Sequence, residues 1–234
     1  MGVRVLQIAD NSPLHQLPPD ELETFSRRAS ELGIAIEVGT RGIARELLLA
    51  YLCLAERLDS AFVRTVVDTA DHQPSEDEIV GAIREIIPNL EQAGVALAIE
   101  NHDRFKAKTL ARIIERIGSA SVGICLDTTN SLGASEGPEA VVETLGPLTI
   151  NVHVKDYVIY RPDHKMGFTV EGRPAGQGQL DIPWLLDKLH GYGINPNIIL
   201  ELWTPPEETL PATIAKEQSW ATASVEYMRR FVIE

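Results

Sequence analysis

Val95-Ala96-Leu97-Ala98-Ile99-Glu100 and Val122-Gly123-Ile124-Cys125-Leu126-Asp127 are short apolar runs, each closed by a carboxylate. Ile150-Asn151-Val152-His153 and Asn197-Ile198-Ile199-Leu200-Glu201 repeat the plan, ending in an imidazole and another carboxylate. Residues along a strand alternate between its two faces. With the terminal polar residue turned inward, Ala96, Ala98, Gly123, Cys125, Asn151, Asn197 and Ile199 share that inner face. Val95, Leu97, Ile99, Val122, Ile124, Leu126, Ile150, Val152, Ile198 and Leu200 face out. The outer set is large and aliphatic, suited to packing under helices; the inner set is mostly small or polar. A doubly wound sheet would be apolar on both faces. A parallel barrel with a polar mouth accounts for the asymmetry, and its active end lies at the C-terminal ends of the strands. There Glu100, Asp127, His153 and Glu201 converge. Three carboxylates and an imidazole at one edge point to one divalent metal ion. An oxygen-rich set suits Mn²⁺, Mg²⁺ or Co²⁺ better than a structural zinc site, which favours thiolates.

The rest of the chain extends the pattern in both directions. Strands are expected at 3–10, 34–41, 61–68, 95–101, 121–128, 149–156 and 197–203. Helices are expected at 18–32, 45–58, 75–93, 107–118, 137–145, 182–191 and 212–231. Ser75 and Glu78 match a capping box, and Asp20 and Glu21 sit in a first helical turn, where the helix dipole favours them. In the second strand Ile34, Ile36 and Val38 face out, leaving Glu37 and Arg41 inside. Strand–helix alternation without a low-complexity linker predicts one domain over 1–234 and an all-parallel sheet. Seven strand–helix units are legible where a complete barrel of this type has eight. The first unit is therefore expected to be missing: the barrel is incomplete, another chain covers the gap, or this sequence starts downstream of the true beginning. Exposed edges beside such a gap favour a homo-oligomer.

Composition narrows the partners. Lys plus Arg number 21 against 34 Asp plus Glu, a formal charge of −13. That balance argues against a nucleic-acid backbone or an anionic membrane as the main partner and leaves room for a small anionic substrate held by local cations. No apolar run reaches the roughly 20 residues of a membrane span. The N-terminus lacks a basic-then-apolar leader, and Cys53 and Cys125 sit in apolar contexts unsuited to a disulfide, so a cytoplasmic location is expected.

Read together, Ile99-Glu100-Asn101-His102, Leu126-Asp127-Thr128-Thr129-Asn130, Val152-His153-Val154-Lys155-Asp156, Gly176-Gln177-Gly178-Gln179-Leu180-Asp181 and Leu200-Glu201-Leu202 resemble the sugar phosphate isomerase/epimerase group of the xylose isomerase-like TIM (β/α)-barrel superfamily. The resemblance runs over nearly the whole chain. It implies that Glu100, Asp127, His153 and Glu201 bind one metal, and that Glu100 and Glu201 are also acid and base. Ketose epimerases of the group carry a His three residues beyond the Asp, where this chain has Asn130.

These readings give a metal-dependent sugar or sugar phosphate isomerase/epimerase. The cation polarises a carbonyl and stabilises an enediolate, while Glu100 and Glu201 move a proton on opposite faces of the substrate. Substrate contacts are expected from His102, Asn130, Lys155 and Arg173, with Phe168 and Trp203 as apolar walls. The loop 157–179, too long for a mere connector, is expected to cover the substrate. The main alternative is a metal-dependent decarboxylase of a 3-oxo sugar acid, with Lys155 or Arg173 receiving the carboxylate. An apurinic-site endonuclease would need further His and Asp ligands; a non-catalytic sugar-binding barrel would bind no metal. Each residue also has a plainer role. A strand-end carboxylate often caps a turn, Lys155-Asp156 would make an ion pair, and Gly176-Gln177-Gly178 is a turn with positive φ rather than a phosphate loop. Glu37, Arg41 and Arg64 would form an inner ion-pair network, and His15, His72, His164 and His190 would be solvated.

Overall fold

A computed structural model describes residues 1–163 and 166–232; His164 lies outside them. Seven parallel strands follow one another around a nearly closed barrel. They are β1 (Val5–Ile8), β2 (Ala35–Arg41), β3 (Phe62–Val66), β4 (Ala96–Glu100), β5 (Val122–Asp127), β6 (Thr149–Val154) and, last in the sheet, β9 (Ile198–Leu200). Helices α1 (Pro19–Glu31), α2 (Arg45–Leu58), α3 (Glu76–Ala93), α4 (Ala107–Ile117), α5 (Pro138–Leu145) and α6 (Ile182–Gly191) lie between them in sequence, and α7 (Leu210–Met228) follows the last strand. Among the described residues β1 and β9 exchange no ladder hydrogen bonds, so a seam stays open between them. It falls where the strand count called for a missing unit.

The expected faces hold on most strands. Leu97, Ile99, Val122, Ile124, Leu126, Val152 and Val154 are buried in the apolar layer shared with the helices. Phe62, Ala98 and Cys125 form a separate small cluster inside the barrel. Gly39, Arg64, Ala98 and Gly123 are register partners on adjacent strands. Gly39 and Ala98 leave room for one long guanidinium side chain: a Cβ on Gly39 would stand 3.2 Å from Arg64 Cδ. The helix ends follow the local signals, and the capping box is formed, with Glu78 N donating to Ser75 Oγ at 3.3 Å and Ser75 N to Glu78 Oε2 at 2.8 Å.

Three expectations are corrected. Ile150, placed outward above, packs against the inner cluster. The β5–β6 register shifts there, from Ile124–Thr149 to Cys125–Asn151, so Ile150 is the extra residue of a bulge and its side chain turns in. Gly123 makes room for it, since a Cβ there would lie 2.7 Å from Ile150 Cδ1. The loop 157–179 contains a hairpin, β7 (Asp156–Tyr160) paired antiparallel with β8 (Thr169–Arg173). Last, Glu37 makes no ion pair with Arg41 or Arg64. It accepts from Gln7 Nε2 at 3.1 Å and Asn197 Nδ2 at 2.7 Å, which ties β2 to β1 and to the residue before β9.

Candidate metal and substrate site

Asp127 ends β5 with its two oxygens in different roles. Oδ1 accepts from Thr129 N at 2.8 Å and Asn130 N at 2.7 Å, the local bond that turns the chain after the strand. Oδ2 is fully buried and makes no directed hydrogen bond, although Lys155 Nζ lies 2.9 Å away. The plain turn-capping role and a ligand role therefore coexist in one side chain. His153, at the same level of β6, is likewise divided. Nε2 meets Gln7 Oε1 at 2.6 Å, while Nδ1 is buried without a directed partner, 2.8 Å from Glu201 Oε2 and 3.5 Å from Glu100 Oε2.

Asp127, His153 and Glu201 each present a ligand atom within 4.8 Å of one another, and so do Glu100, Cys125 and His153. The first set fits a divalent cation, because Asp127 Oδ2 and His153 Nδ1 are orphaned lone-pair atoms facing a third ligand. The second set is poorer. Burial first, and the Glu100 charge next, push the Cys125 thiol well above its usual range, so it stays protonated.

Glu100 is committed to other partners. Its Oε2 pairs with Arg64 Nε and its Oε1 accepts from Asn130 Nδ2 at 2.8 Å. Burial works to lower Arg64, but Glu100 beside it holds the guanidinium above its ordinary value. Lys155 sits between Asp127 and Glu201, with Nζ 2.9 Å from Asp127 Oδ2 and 2.9 Å from Glu201 Oε1, and it donates to Asn130 Oδ1 at 3.2 Å. Burial would lower Lys155; Asp127 and then Glu201 outweigh it and hold the ammonium above the usual lysine range. Burial would likewise raise Glu201; the neighbouring His153 ring and the Lys155 charge outweigh it and lower the carboxyl to about 2. Both groups are charged throughout the physiological range.

Above this cluster lies a cavity of about 480 Å³, lined by His102, Asn130, Lys155, Glu201, Val170 and Trp203 among others. Lys155 is the one Lys or Arg among the described lining residues. His102 Nδ1 faces Asp103 Oδ1 at 2.6 Å. Arg173 is not brought into the cavity: its Nη1 is held by Glu171 and by Gly172 O. Phe168 is 69% exposed, under Arg161 near the hairpin tip, while Trp203 forms part of the wall.

Sequence reasoning missed the supports of this site. Asn101, fully buried, accepts from Asp127 N at 2.7 Å and donates to Asp127 O at 2.8 Å, aligning the ends of β4 and β5. Thr128 and Thr129 both donate to Lys155 O at 2.9 Å. Asp156 points away from Lys155. Its carboxylate accepts from Tyr157 N, Gly176 N, Gly178 N and Leu180 N at 2.8–3.1 Å. The glycine-rich stretch thus wraps a carboxylate of its own chain, with Gly176 at φ +80°. The adjacent Asn101 and the Thr pair were visible signals; Gln7 carried none, and Arg64, expected in a network with Glu37 and Arg41, pairs with Glu100.

Residues 1–231 match the xylose isomerase-like TIM barrel family. A 3-oxo-isoapionate decarboxylase of Pectobacterium atrosepticum is 35% identical over 227 residues, spanning 97% of this chain and 82% of its own. Two solved structures share the fold. A xylose isomerase-like TIM barrel protein from Mycobacterium smegmatis, in complex with magnesium, has a TM-score of 0.76 at 14% identity and covers 96% of this chain and 85% of that one. A D-psicose 3-epimerase, in the presence of D-fructose, has a TM-score of 0.76 at 17% identity and covers 97% and 89%.

Proposed function

The chain belongs to the xylose isomerase-like TIM barrel family, and from that premise we propose that it is a metal-dependent decarboxylase of a 3-oxo sugar acid. The observation that carries this reading is Lys155, a permanent ammonium between Asp127 and Glu201 in the cavity wall. The 35% identity to a decarboxylase of a 3-oxo acid supports it.

In a 3-oxo acid the bond between the carboxylate carbon and C2 breaks. The carboxylate leaves as carbon dioxide, and the electron pair passes through C2 to the 3-oxo oxygen. One proton is then taken up at C2. No base is required: Glu100 has both oxygens engaged, and Glu201, lowered to about 2, is a weak base. A divalent cation held by Asp127, His153 and Glu201, with Glu100 beside them, would supply the Lewis acid that draws charge onto the 3-oxo oxygen. Lys155 pairs with the substrate carboxylate and gives a proton to C2 once carbon dioxide has left, taking one back from solvent. Asn130, fixed between Glu100 and Lys155, and His102 meet substrate hydroxyls. Val170 and Trp203 exclude water beside the reacting carbon. Arg173, with its Nη1 held by Glu171, contributes by stiffening β8.

The second reading is a ketose epimerase or isomerase with Glu100 and Glu201 as acid and base. It is favoured by their approach to His153 Nδ1 from two different strands, at 3.5 and 2.8 Å. A panel of free ketoses, ketose phosphates and 3-oxo sugar acids, assayed with Mn²⁺ or Mg²⁺, separates the two. Carbon dioxide from the 3-oxo acids is the expected result. Interconversion of ketoses without gas release would replace the decarboxylase by the epimerase. No turnover and no bound metal would leave a sugar-binding barrel.

A further inference from the structure

We propose that Gln7 is a positioning residue of the metal centre, setting which ring nitrogen of His153 carries the proton. The proposal rests on the reading that Asp127, His153 and Glu201 hold a cation. Gln7 stands on β1, and its amide nitrogen lies 3.1 Å from Glu37 Oε2 and 3.0 Å from Asn151 Oδ1. A carboxylate oxygen only accepts, so the Gln7 group facing Glu37 must be the NH₂. Asn197 Nδ2, 2.7 Å from Glu37 Oε1, keeps that carboxylate in place. The remaining atom of the amide, Oε1, also only accepts, and it lies 2.6 Å from His153 Nε2. Nε2 must therefore be the N–H.

Nδ1 lies 2.8 Å from Glu201 Oε2 without the alignment of a hydrogen bond, so in the neutral ring, whose single N–H stands on Nε2, Nδ1 keeps a lone pair. That lone pair is buried, lacks a directed hydrogen bond and faces carboxylate oxygens of Glu201 and Glu100. Lone pairs converging in this way need a cation among them. A second group that orients a ligating imidazole through its far nitrogen is the usual support of such a centre. Here the support reaches Nε2 from an amide, itself oriented by Glu37, across the barrel interior. Gln7 and His153 are 146 residues apart in sequence.

The tautomer is read in metal-free protein by long-range ¹⁵N NMR of the imidazole, well above the ordinary titration range of histidine, and Mn²⁺ affinity by calorimetry. Wild type is expected to show Nε2–H. Gln7→Leu is expected to give mixed tautomers and to weaken Mn²⁺ binding by about 10–100-fold. The exchanged pair Gln7→Glu with Glu37→Gln keeps an acceptor toward His153 and is expected to restore both readouts to within a few-fold of wild type. An Nδ1–H tautomer in wild type would overturn the proposal. So would unchanged tautomer and affinity in Gln7→Leu. If Gln7→Leu does not fold, the wild-type tautomer and the exchanged pair decide. If wild type binds no Mn²⁺ yet shows Nε2–H, the metal reading fails while the role of Gln7 in fixing the ring stands.

Discussion

Lys155 concentrates the electrostatics of the cavity in one atom. Its Nζ neutralises part of the charge on Asp127 and Glu201, and it occupies the side of Asp127 Oδ2 that a cation would also use. Lys155→Met should therefore act in opposite directions on two measurements. Decarboxylation should fall by about 10²-fold or more, through loss of a proton donor and of the carboxylate's counter-charge. Mn²⁺ affinity, measured by calorimetry, should rise, because the ligands lose a competing cation. Parallel loss of both would mean that the lysine is structural. Glu201 offers a pH test in metal-free protein. Its folded carboxyl is lowered to about 2, below the ordinary glutamate value, so folding favours the charged form. The resulting stability is complete above the ordinary glutamate range and is lost as pH falls toward about 2. The stability gap between wild type and Glu201→Gln in urea unfolding should shrink across that acid window and stay flat near neutrality.

The hairpin of β7 and β8 depends on one buried carboxylate. Asp156→Ala would strip four backbone N–H groups of their acceptor, and urea unfolding should report about 2–4 kcal/mol of lost stability. Gly178→Ala should destabilise in the same direction, since a Cβ there would stand 2.1 Å from Asp156 Oδ1. A long segment was legible from its length, but its pairing was not. Tyr157-Val158-Ile159-Tyr160 and Thr169-Val170-Glu171-Gly172-Arg173 are separated by too many residues for any short-turn signature to join them. The bulge at Ile150 was hidden for a different reason: strict alternation reads through an extra residue, and only the fit of Ile150 over Gly123 reveals it.

Across the whole molecule the sheet runs from β1 to β9 without closing, and the polar side chains of Gln7, Glu37, Asn151 and Asn197 bridge the seam from inside. Amide hydrogen exchange should be fastest in Val5–Ile8 and Ile198–Leu200 and slowest in β3, β4 and β5, which have ladder partners on both sides. Equal protection of β1 and β4 would show that the seam is closed in solution. The barrel and the polar ends of its four strands β4, β5, β6 and β9 were legible because alternation and spacing are local properties. The supports were less so: Gln7 acts on a residue 146 positions away, which curvature brings near, and Arg64 pairs with Glu100 on the neighbouring strand rather than with Glu37. Lys155 and Asp156 show what this means for inheritance. They are neighbours in the chain, yet one stands in the cavity wall and the other holds the segment that follows the hairpin. Recombination that imports a new cover from a related barrel must break at this dipeptide or carry the ammonium along with it.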